Sequence, residues 1–249
     1  MSRAGAAASL QDAAQSMTSQ AIAAARMLLQ LRLPGAIDPG ATALGASRRR
    51  SAYERQKRCL DVVVCLLALP VLVPLGVVCA VAVRCSGPGP ILFAQQRTGL
   101  GGRPFTMYKF RSMVADAAQR KEQLKQQVGI SGPDFKLAGD PRITRTGRVM
   151  RALSLDELPQ FWNVLCGDMT LVGPRPTSFL TGAYVLWHTE RLDVRPGLTG
   201  LWQIHKRGDT DFDARVRLDI RYVRERSLML DLKILALTIP AVASRKGAY

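Results

Sequence analysis

Two adjacent carboxylates, Asp156 and Glu157, lie in the segment LSLDELPQFWNVLCGDMTLVGPRP, and two arginines that each precede a proline, Arg175 and Arg195, follow them. Magnesium is typically held by one or two carboxylates together with phosphate oxygens. The planar fork of arginine suits phosphate, and an ionised carboxylate can act as a nucleophile. This combination predicts phosphoryl-transfer chemistry.

The surrounding pattern predicts where the acids point. Apolar residues at helical spacing predict a helix whose buried face carries Leu158, Phe161, Trp162 and Leu165. Neither acid then points into the core, and both lie at a helix N-terminus, where the dipole favours the ionised form and attracts phosphate. The alternative interpretation is structural, with Asp156 as an N-cap and Glu157 at the positive end of the dipole.

Two helix starts fit this stretch. Ser154 and Glu157 match a capping box, but a helix starting there would have Pro159 at an interior position, where the missing N–H costs a hydrogen bond. A start at Asp156 keeps Pro159 in the first turn, where proline is tolerated. We prefer the second start.

The element that must hold these residues at a membrane is the uncharged run VVVCLLALPVLVPLGVVCAVAV, residues 62–83. Its length matches a hydrocarbon core of about 30 Å. Pro70 and Pro74 predict a kink, and basic residues flank both ends, which favours both ends on the cytoplasmic side. We predict a re-entrant membrane helix over a straight span or a buried core helix.

The rest of the chain predicts an α/β fold that is mostly helical. PILFAQQRTGLGGRPFTMYKFRSM predicts two strands joined by a turn at residues 99–102. Residues 112–128, DPRITRTGRVMRAL and LMLDLKILALTIPAVASRKGAY predict helices. The expected organisation is a flexible basic leader (1–50), a membrane anchor (51–86) and a small catalytic domain (87–249).

The composition limits the classes of partner and site that the chain is expected to have. Lys plus Arg total 35 against 19 for Asp plus Glu, giving a formal net charge of +16. This excess favours nucleic acid, anionic lipid or a phosphorylated substrate. Five cysteines without a CxxC pair indicate neither a zinc site nor a disulfide framework. Only His188 and His205 are present, which gives little support for a histidine-based metal site or a Ser-His-Asp triad.

Five segments together resemble the bacterial sugar transferase family, the monotopic phosphoglycosyl transferases. They are KRCLDVVVCLLALPVLVPL, RPFTMYKFRSM, DPRITRTGRVMRALSLDELPQFWNVLCGDMTLVGPRP, VRPGLTGLWQI and LDLKILALTIPAV. The resemblance runs from about residue 57 to residue 249. Where the family's re-entrant helix breaks at Ser-Pro, this chain has Val73-Pro74. The expected organisation is that of a compact member with the catalytic domain alone.

The resemblance implies transfer of a sugar-1-phosphate from a UDP-sugar to undecaprenyl phosphate, with release of UMP. It implies Asp156 as the nucleophile that forms a covalent phosphosugar intermediate, and Glu157 as its partner and magnesium (Mg²⁺) ligand. Arg151 and Arg175 match family positions near the phosphates, and Lys109 matches a polar position of the site. Arg195 is a further candidate phosphate ligand from its own Arg-Pro-Gly context.

The implied setting is the cytoplasmic face of a bacterial inner membrane, in exopolysaccharide, capsule or O-antigen synthesis. Membrane lipids, other polysaccharide-assembly enzymes and a second copy of the chain are candidate partners. Two alternatives remain open at this point. One is a non-catalytic scaffold for polysaccharide assembly. The other is a membrane-tethered nucleic-acid binder, disfavoured because the chain has no helix-turn-helix, zinc or aromatic-basic motif, so no nucleic-acid partner is expected.

Overall fold

The computed structural model describes residues 39–128, 137, 139–177, 185–205 and 211–243. The predicted leader up to residue 38 and the C-terminal SRKGAY lie outside these residues. The first described element is a long helix, α1 (Pro39–Cys85), which runs through the predicted boundary at residue 50. That boundary therefore stays a prediction.

Helix α1 carries the apolar run. Its part from Ser51 to Cys85 is long and apolar enough to cross a membrane, and only 11% of its most apolar stretch is buried. A core helix of a soluble domain would be mostly buried, so this helix indicates membrane association. The helix continues through Pro70 and Pro74 without dividing into two helices. The predicted kink stays a prediction.

Both ends of the apolar run pack against the rest of the chain. Near its start, Cys65 is fully buried in the main hydrophobic core, beside Met107 and Val164. Near its end, Cys79 and Val83 lie in a second cluster, with Phe110 and Met150. Between these contacts, most of the large apolar side chains face outward, among them Leu66, Leu67, Val71, Val73, Val77 and Val78.

The predicted hairpin is confirmed. Strands β1 (Leu92–Thr98) and β2 (Pro104–Phe110) pair antiparallel, from Leu92 opposite Phe110 to Thr98 opposite Pro104. A short 3₁₀ turn, Leu100–Gly102, joins them, and Gly101 adopts a φ of 63° that favours glycine there. The hairpin carries Lys109 on β2, next to the acidic segment.

Helices dominate the remainder, which confirms a mostly helical α/β fold. They are α2 (Ala117–Val128), α3 (Arg145–Ala152), α4 (Gln160–Cys166), α5 (Leu201–His205), α6 (Phe212–Glu225) and α7 (Leu228–Ala243). Two three-residue strands, β3 (Thr170–Val172) and β4 (Gly197–Thr199), pair in parallel. A 3₁₀ segment, Leu186–Asp193, precedes β4. The main core lies where α4, β3, α6 and α7 meet α1.

Candidate active site

The acidic pair lies in a 3₁₀ turn, Leu155–Glu157, between α3 and α4. Ser154 begins the turn with a left-handed backbone (φ 56°), and its side chain does not cap the turn. Helix α4 begins only at Gln160, with Pro159 just before it at φ −61°. Both predicted helix starts, at Asp156 and at a Ser154 capping box, are therefore wrong. The Glu157 and Leu158 N–H groups donate to carbonyls three residues back, those of Ser154 and Leu155, so the acids lie in a 3₁₀ turn. Pro159 has no N–H with which to continue an α-helix from that turn, and the left-handed backbone of Ser154 differs from the extended backbone usual at an N-cap.

Burial of the turn also differs from the prediction. Asp156 is only 7% exposed, although the sequence pattern predicted an acid on the outer face. Helix α4 buries Gln160, Asn163 and Val164, whereas Trp162 is 61% exposed, so the predicted buried face is wrong for Trp162.

A side-chain amide explains why α4 buries the face that carries Asn163 and exposes Trp162. The Asn163 Oδ1 accepts a hydrogen bond from the Tyr108 backbone N–H at 3.1 Å, and its Nδ2 donates to the Thr106 carbonyl at 2.7 Å. Asn163 is fully buried. Because these bonds satisfy backbone groups of β2, α4 docks on the strand that carries Lys109 through a polar residue.

Glu157 is the centre of a charged cluster. Its Oε1 accepts a hydrogen bond from Lys109 Nζ at 2.9 Å. Its two oxygens also accept from Arg175: Nη1 donates to Oε2 at 3.1 Å, and Nη2 donates to Oε1. These three side chains come from β2, the acidic turn and the loop after β3. The structure therefore brings Lys109, Glu157 and Arg175 together, beside Asp156.

The two carboxyl groups have opposite electrostatic settings. Burial raises the pKa of Asp156, and the charge of Glu157 adds to that, while Lys109, Arg151 and Arg175 oppose it. Burial also acts to raise the pKa of Glu157, but its bonded cations, Arg175 and Lys109, outweigh burial and lower it. Glu157 is therefore a firmly ionised partner. Asp156 is the more basic carboxylate of the two.

Arg151 lies on α3 within the electrostatic reach of the pair. Its Nε donates to the Ser112 hydroxyl at 2.9 Å. Burial lowers the pKa of Arg151, and the charges of Asp156 and Asp140 partly offset that effect. Helix α3 packs closely against the backbone of Ser112, because a Cβ on Gly147 would approach the Ser112 carbonyl oxygen to 2.0 Å. Arg151 is therefore a half-buried cation whose charge acts on Asp156.

The loop that carries Arg175 is fixed by backbone contacts with the second Arg-Pro segment. The Gly173 N–H donates to the Thr199 carbonyl, and the Gly197 N–H donates to the Pro174 carbonyl, both at 2.8 Å. A Cβ on Gly197 would lie 2.1 Å from the Gly173 nitrogen. These glycines allow two backbones to approach each other.

Arg195 does not join the acidic pair. Its Nε donates to the Gly167 carbonyl at 3.0 Å, at the C-terminal end of α4. Arg58 donates to two further carbonyls at that helix end, those of Val164 and Leu165. Cations are favoured at a helix C-terminus, so the geometry gives Arg195 a structural position away from the predicted phosphate site.

The sequence pattern did not reveal a buried ion pair, Arg191 and Asp219, of which Arg191 contacts the Arg175 loop. Arg191 Nη2 donates to the Arg175 carbonyl at 2.7 Å and to Asp219 Oδ2 at 2.5 Å. Both carry charge at positions that the fold buries. The only sequence signal is that Asp219 follows Val216 and precedes Ile220 on the buried face of an amphipathic helix.

Comparison with known proteins identifies the family of this chain. The pattern of the family described as "Bacterial sugar transferase" matches residues 52–245. The chain belongs to the bacterial sugar transferase family. The matched region contains Lys109, Arg151, the acidic pair and Arg175.

Several known proteins are similar to this chain over most of its length. "Galactosyl transferase CpsE" of Streptococcus agalactiae is 45% identical over 194 residues, covering 77% of this chain and 43% of that protein. "UDP-glucose:undecaprenyl-phosphate glucose-1-phosphate transferase" of Caulobacter vibrioides is 41% identical over 216 residues, covering 82% and 76%. "Exopolysaccharide production protein ExoY" of Sinorhizobium fredii is 39% identical over 200 residues, covering 78% and 88%.

Proposed function

We propose that the protein transfers a sugar-1-phosphate from a UDP-sugar to undecaprenyl phosphate and releases UMP, as the first membrane step of exopolysaccharide, capsule or O-antigen synthesis. Family membership and the names of the relatives support this proposal. The structural observation that carries it is the buried Asp156 beside a Glu157 held by Lys109 and Arg175. This arrangement puts a basic carboxylate among the cations that a diphosphate requires.

Asp156 is the proposed nucleophile. Its carboxylate oxygen attacks the phosphorus that bears the sugar, the bond to the bridging oxygen breaks, and UMP leaves with that oxygen. The resulting acyl phosphate carries the sugar. A phosphate oxygen of undecaprenyl phosphate then attacks the same phosphorus, which forms the lipid diphosphate sugar and restores the carboxylate. The raised pKa of Asp156 supports this role, because greater basicity accompanies greater nucleophilicity.

The neighbouring charges have distinct roles in this proposal. Arg175 and Lys109 bind the substrate phosphates. Their bonds to Glu157 hold both side chains in position before the substrate arrives. Arg151 stabilises the ionised form of Asp156 and the charge that develops on the transferred phosphate. Charged groups fixed before the substrate arrives need little reorganisation during the reaction, which is the main source of such stabilisation.

Glu157 is the proposed Mg²⁺ ligand. Its Oε1 already accepts two hydrogen bonds, whereas Oε2 accepts one, from Arg175. A carboxylate oxygen has about two acceptor positions, so Oε2 retains room for a cation. In the described part of the chain no three His, Cys, Asp or Glu side chains are grouped so that they could hold a metal ion. The proposed Mg²⁺ would be held by one or two carboxylates and the substrate phosphates, whose charge it would neutralise.

The membrane arrangement belongs to the same proposal. Before the apolar run, Lys57 pairs with Asp231 of α7 at 3.0 Å. After the run, Arg111 donates to the Val83 carbonyl at 2.9 Å. Both ends of the run therefore contact the same catalytic domain, and a helix with its ends on opposite sides of the membrane would not keep both contacts with a domain on one side. This supports a re-entrant anchor. We place the domain on the cytoplasmic face of the inner membrane as part of the same proposal.

The direct test incubates the purified full chain with undecaprenyl phosphate, Mg²⁺ and each of several UDP-sugars, among them UDP-glucose, UDP-galactose and the two UDP-N-acetylhexosamines. We expect a lipid-linked diphosphate sugar and one equivalent of UMP with at least one donor. The Asp116→Asn variant is the matched control, because Asp116 is an exposed acid that pairs with Arg120. Absence of product with every donor would leave the scaffold alternative as the better account.

A further inference from the structure

A buried ion pair, Arg191 and Asp219, packs against the Arg175 loop. Arg191, in the 3₁₀ segment Leu186–Asp193, is 4% exposed, and Asp219, on α6, is 1% exposed. Arg191 Nη2 lies 2.5 Å from Asp219 Oδ2. The Arg191 guanidinium also lies 6.0 Å from the centre of the Phe212 ring. The pair thus joins two elements that lie far from the acidic turn in sequence.

The same nitrogen reaches the active site. Arg191 Nη2 also donates to the Arg175 carbonyl oxygen at 2.7 Å. Arg175 in turn directs both terminal nitrogens to Glu157. A continuous set of contacts therefore leads from Asp219 through Arg191 and Arg175 to Glu157. The connection to Arg175 is through its backbone, so it acts on where the Arg175 side chain begins.

The arrangement of this pair is poor for stability alone. The Arg191 Nε and the Asp219 Oδ1 are buried, and neither has a hydrogen-bond partner among the residues that the structure describes. Burial raises the pKa of Asp219 to about 6, although Arg191 and Arg215 oppose that shift. Replacing such a pair by apolar side chains is often neutral or stabilising. A role beyond stability therefore accounts better for two charges at this position.

We propose that Arg191 and Asp219 are positioning residues, which hold the backbone of Arg175 so that its guanidinium stays on Glu157 and on the incoming diphosphate. The inference rests on the proposed function for its catalytic consequence. Its structural content, the placement of the Arg175 loop, is independent of turnover. Arg191 and Asp219 themselves touch no reacting atom in this account.

The test compares two matched double variants of the full chain. Arg191→Met/Asp219→Leu removes the buried pair and leaves no isolated charge. Glu190→Gln/Arg224→Met removes an exposed pair that joins the same two elements but does not reach Arg175. Hydrogen–deuterium exchange of a peptide spanning residues 172–177 reports on the loop. UMP release from the UDP-sugar, measured in a single turnover, reports on the chemistry.

We expect the buried-pair variant to keep its melting temperature, to exchange faster at residues 172–177, and to release UMP up to about 100-fold more slowly, the loss expected of a misplaced group. The control should match the wild type in all three. In an Arg175→Ala background, removing the buried pair should slow UMP release by less than about twofold, because Arg191 then has no Arg175 guanidinium to position.

Unchanged exchange at residues 172–177, or equal loss of rate in both backgrounds, would overturn the positioning role. If the double variant fails to fold, Asp219→Asn enters the same comparison, because it keeps the shape and one acceptor for Arg191. The exchange result decides the inference even if the wild-type protein releases no UMP, an outcome that would count against the proposed function instead.

Discussion

Arg175 and Glu157, which lie 18 residues apart in sequence, form a two-pronged ion pair: Nη1 donates to Oε2 at 3.1 Å, and Nη2 donates to Oε1. This pair shapes the whole candidate site. It keeps Glu157 ionised, and it aims a planar guanidinium at the place where the phosphates of a substrate would lie. A fork of two parallel bonds fixes direction as well as charge.

Arg175→Lys should therefore lose activity although it keeps the positive charge. A point charge retains one of the two bonds to Glu157 and lacks the planar fork. Because a hydrogen bond to a charged group contributes roughly 1.5–3 kcal/mol, kcat/KM for the UDP-sugar should fall by about 10-fold or more. Steady-state assays of UMP release at several UDP-sugar concentrations measure this change.

Arg120→Lys is the control for that substitution, because Arg120 forms an exposed ion pair with Asp116. It should retain wild-type activity. If Arg175→Lys also stays within about twofold of the wild type, a difference of less than 1 kcal/mol, the fork has no role in catalysis.

Asp156→Asn should abolish transfer and raise thermal stability at neutral pH. Burial raises the pKa of Asp156, so its ionised form costs folding free energy that a neutral amide avoids. Each kcal/mol of folding free energy recovered in this way should raise Tm by roughly 2–4 °C. Differential scanning fluorimetry of the two proteins measures the shift.

The sign of the pH effect follows from the same direction of shift. An acid with a raised pKa favours folding only where it is protonated, and this contribution is lost as pH rises through its folded pKa. The Tm advantage of Asp156→Asn should therefore be largest in alkaline buffer and shrink toward about pH 4, near the ordinary Asp value. A lower Tm for Asp156→Asn at pH 8 would contradict the assigned direction. Asp116→Asn, at an exposed site, should show neither effect.

The re-entrant anchor predicts the accessibility of two native cysteines. Cys59 and Cys85 are exposed and lie on either side of the apolar run, whereas Cys65 and Cys79 are buried. In single-cysteine variants, a membrane-impermeant maleimide should label both Cys59 and Cys85 in inverted inner-membrane vesicles and neither in intact spheroplasts. Cys166, exposed on the catalytic domain, marks the cytoplasmic side. Labelling of Cys59 and Cys85 from opposite faces would establish a spanning helix and leave the proposed chemistry unaffected.

Patterns that depend on neighbours in sequence predicted much of the fold. The apolar run, the hairpin around residues 99–102 and the helix Arg145–Ala152 follow from composition, turn residues and capping, all of which act over a few residues. Thr144 caps that helix by accepting from the Gly147 N–H at 2.9 Å.

The setting of the acids did not follow from local pattern. Helix periodicity predicted one helix from Asp156 onward, but the acids lie in a 3₁₀ turn, α4 begins at Gln160, and α4 docks through the amide of Asn163. The cations that permit burial of the acids come from distant segments, with Lys109 48 residues from Glu157. Single-residue motifs carry no information on such pairings. For the same reason the Arg-Pro pattern could not distinguish Arg175, which contacts Glu157, from Arg195, which donates to the Gly167 carbonyl.

The central claim is that Asp156 attacks the UDP-sugar directly, and the most direct test omits the lipid acceptor. Enzyme mixed with Mg²⁺ and the active UDP-sugar should release UMP in an amount equal to the enzyme present. Mass spectrometry should then find a sugar phosphate added to a peptide that contains Asp156, and Asp156→Asn should show neither signal. If no UMP appears without undecaprenyl phosphate and no labelled peptide can be trapped, Asp156 is not the nucleophile, and transfer proceeds in a single displacement with both substrates bound.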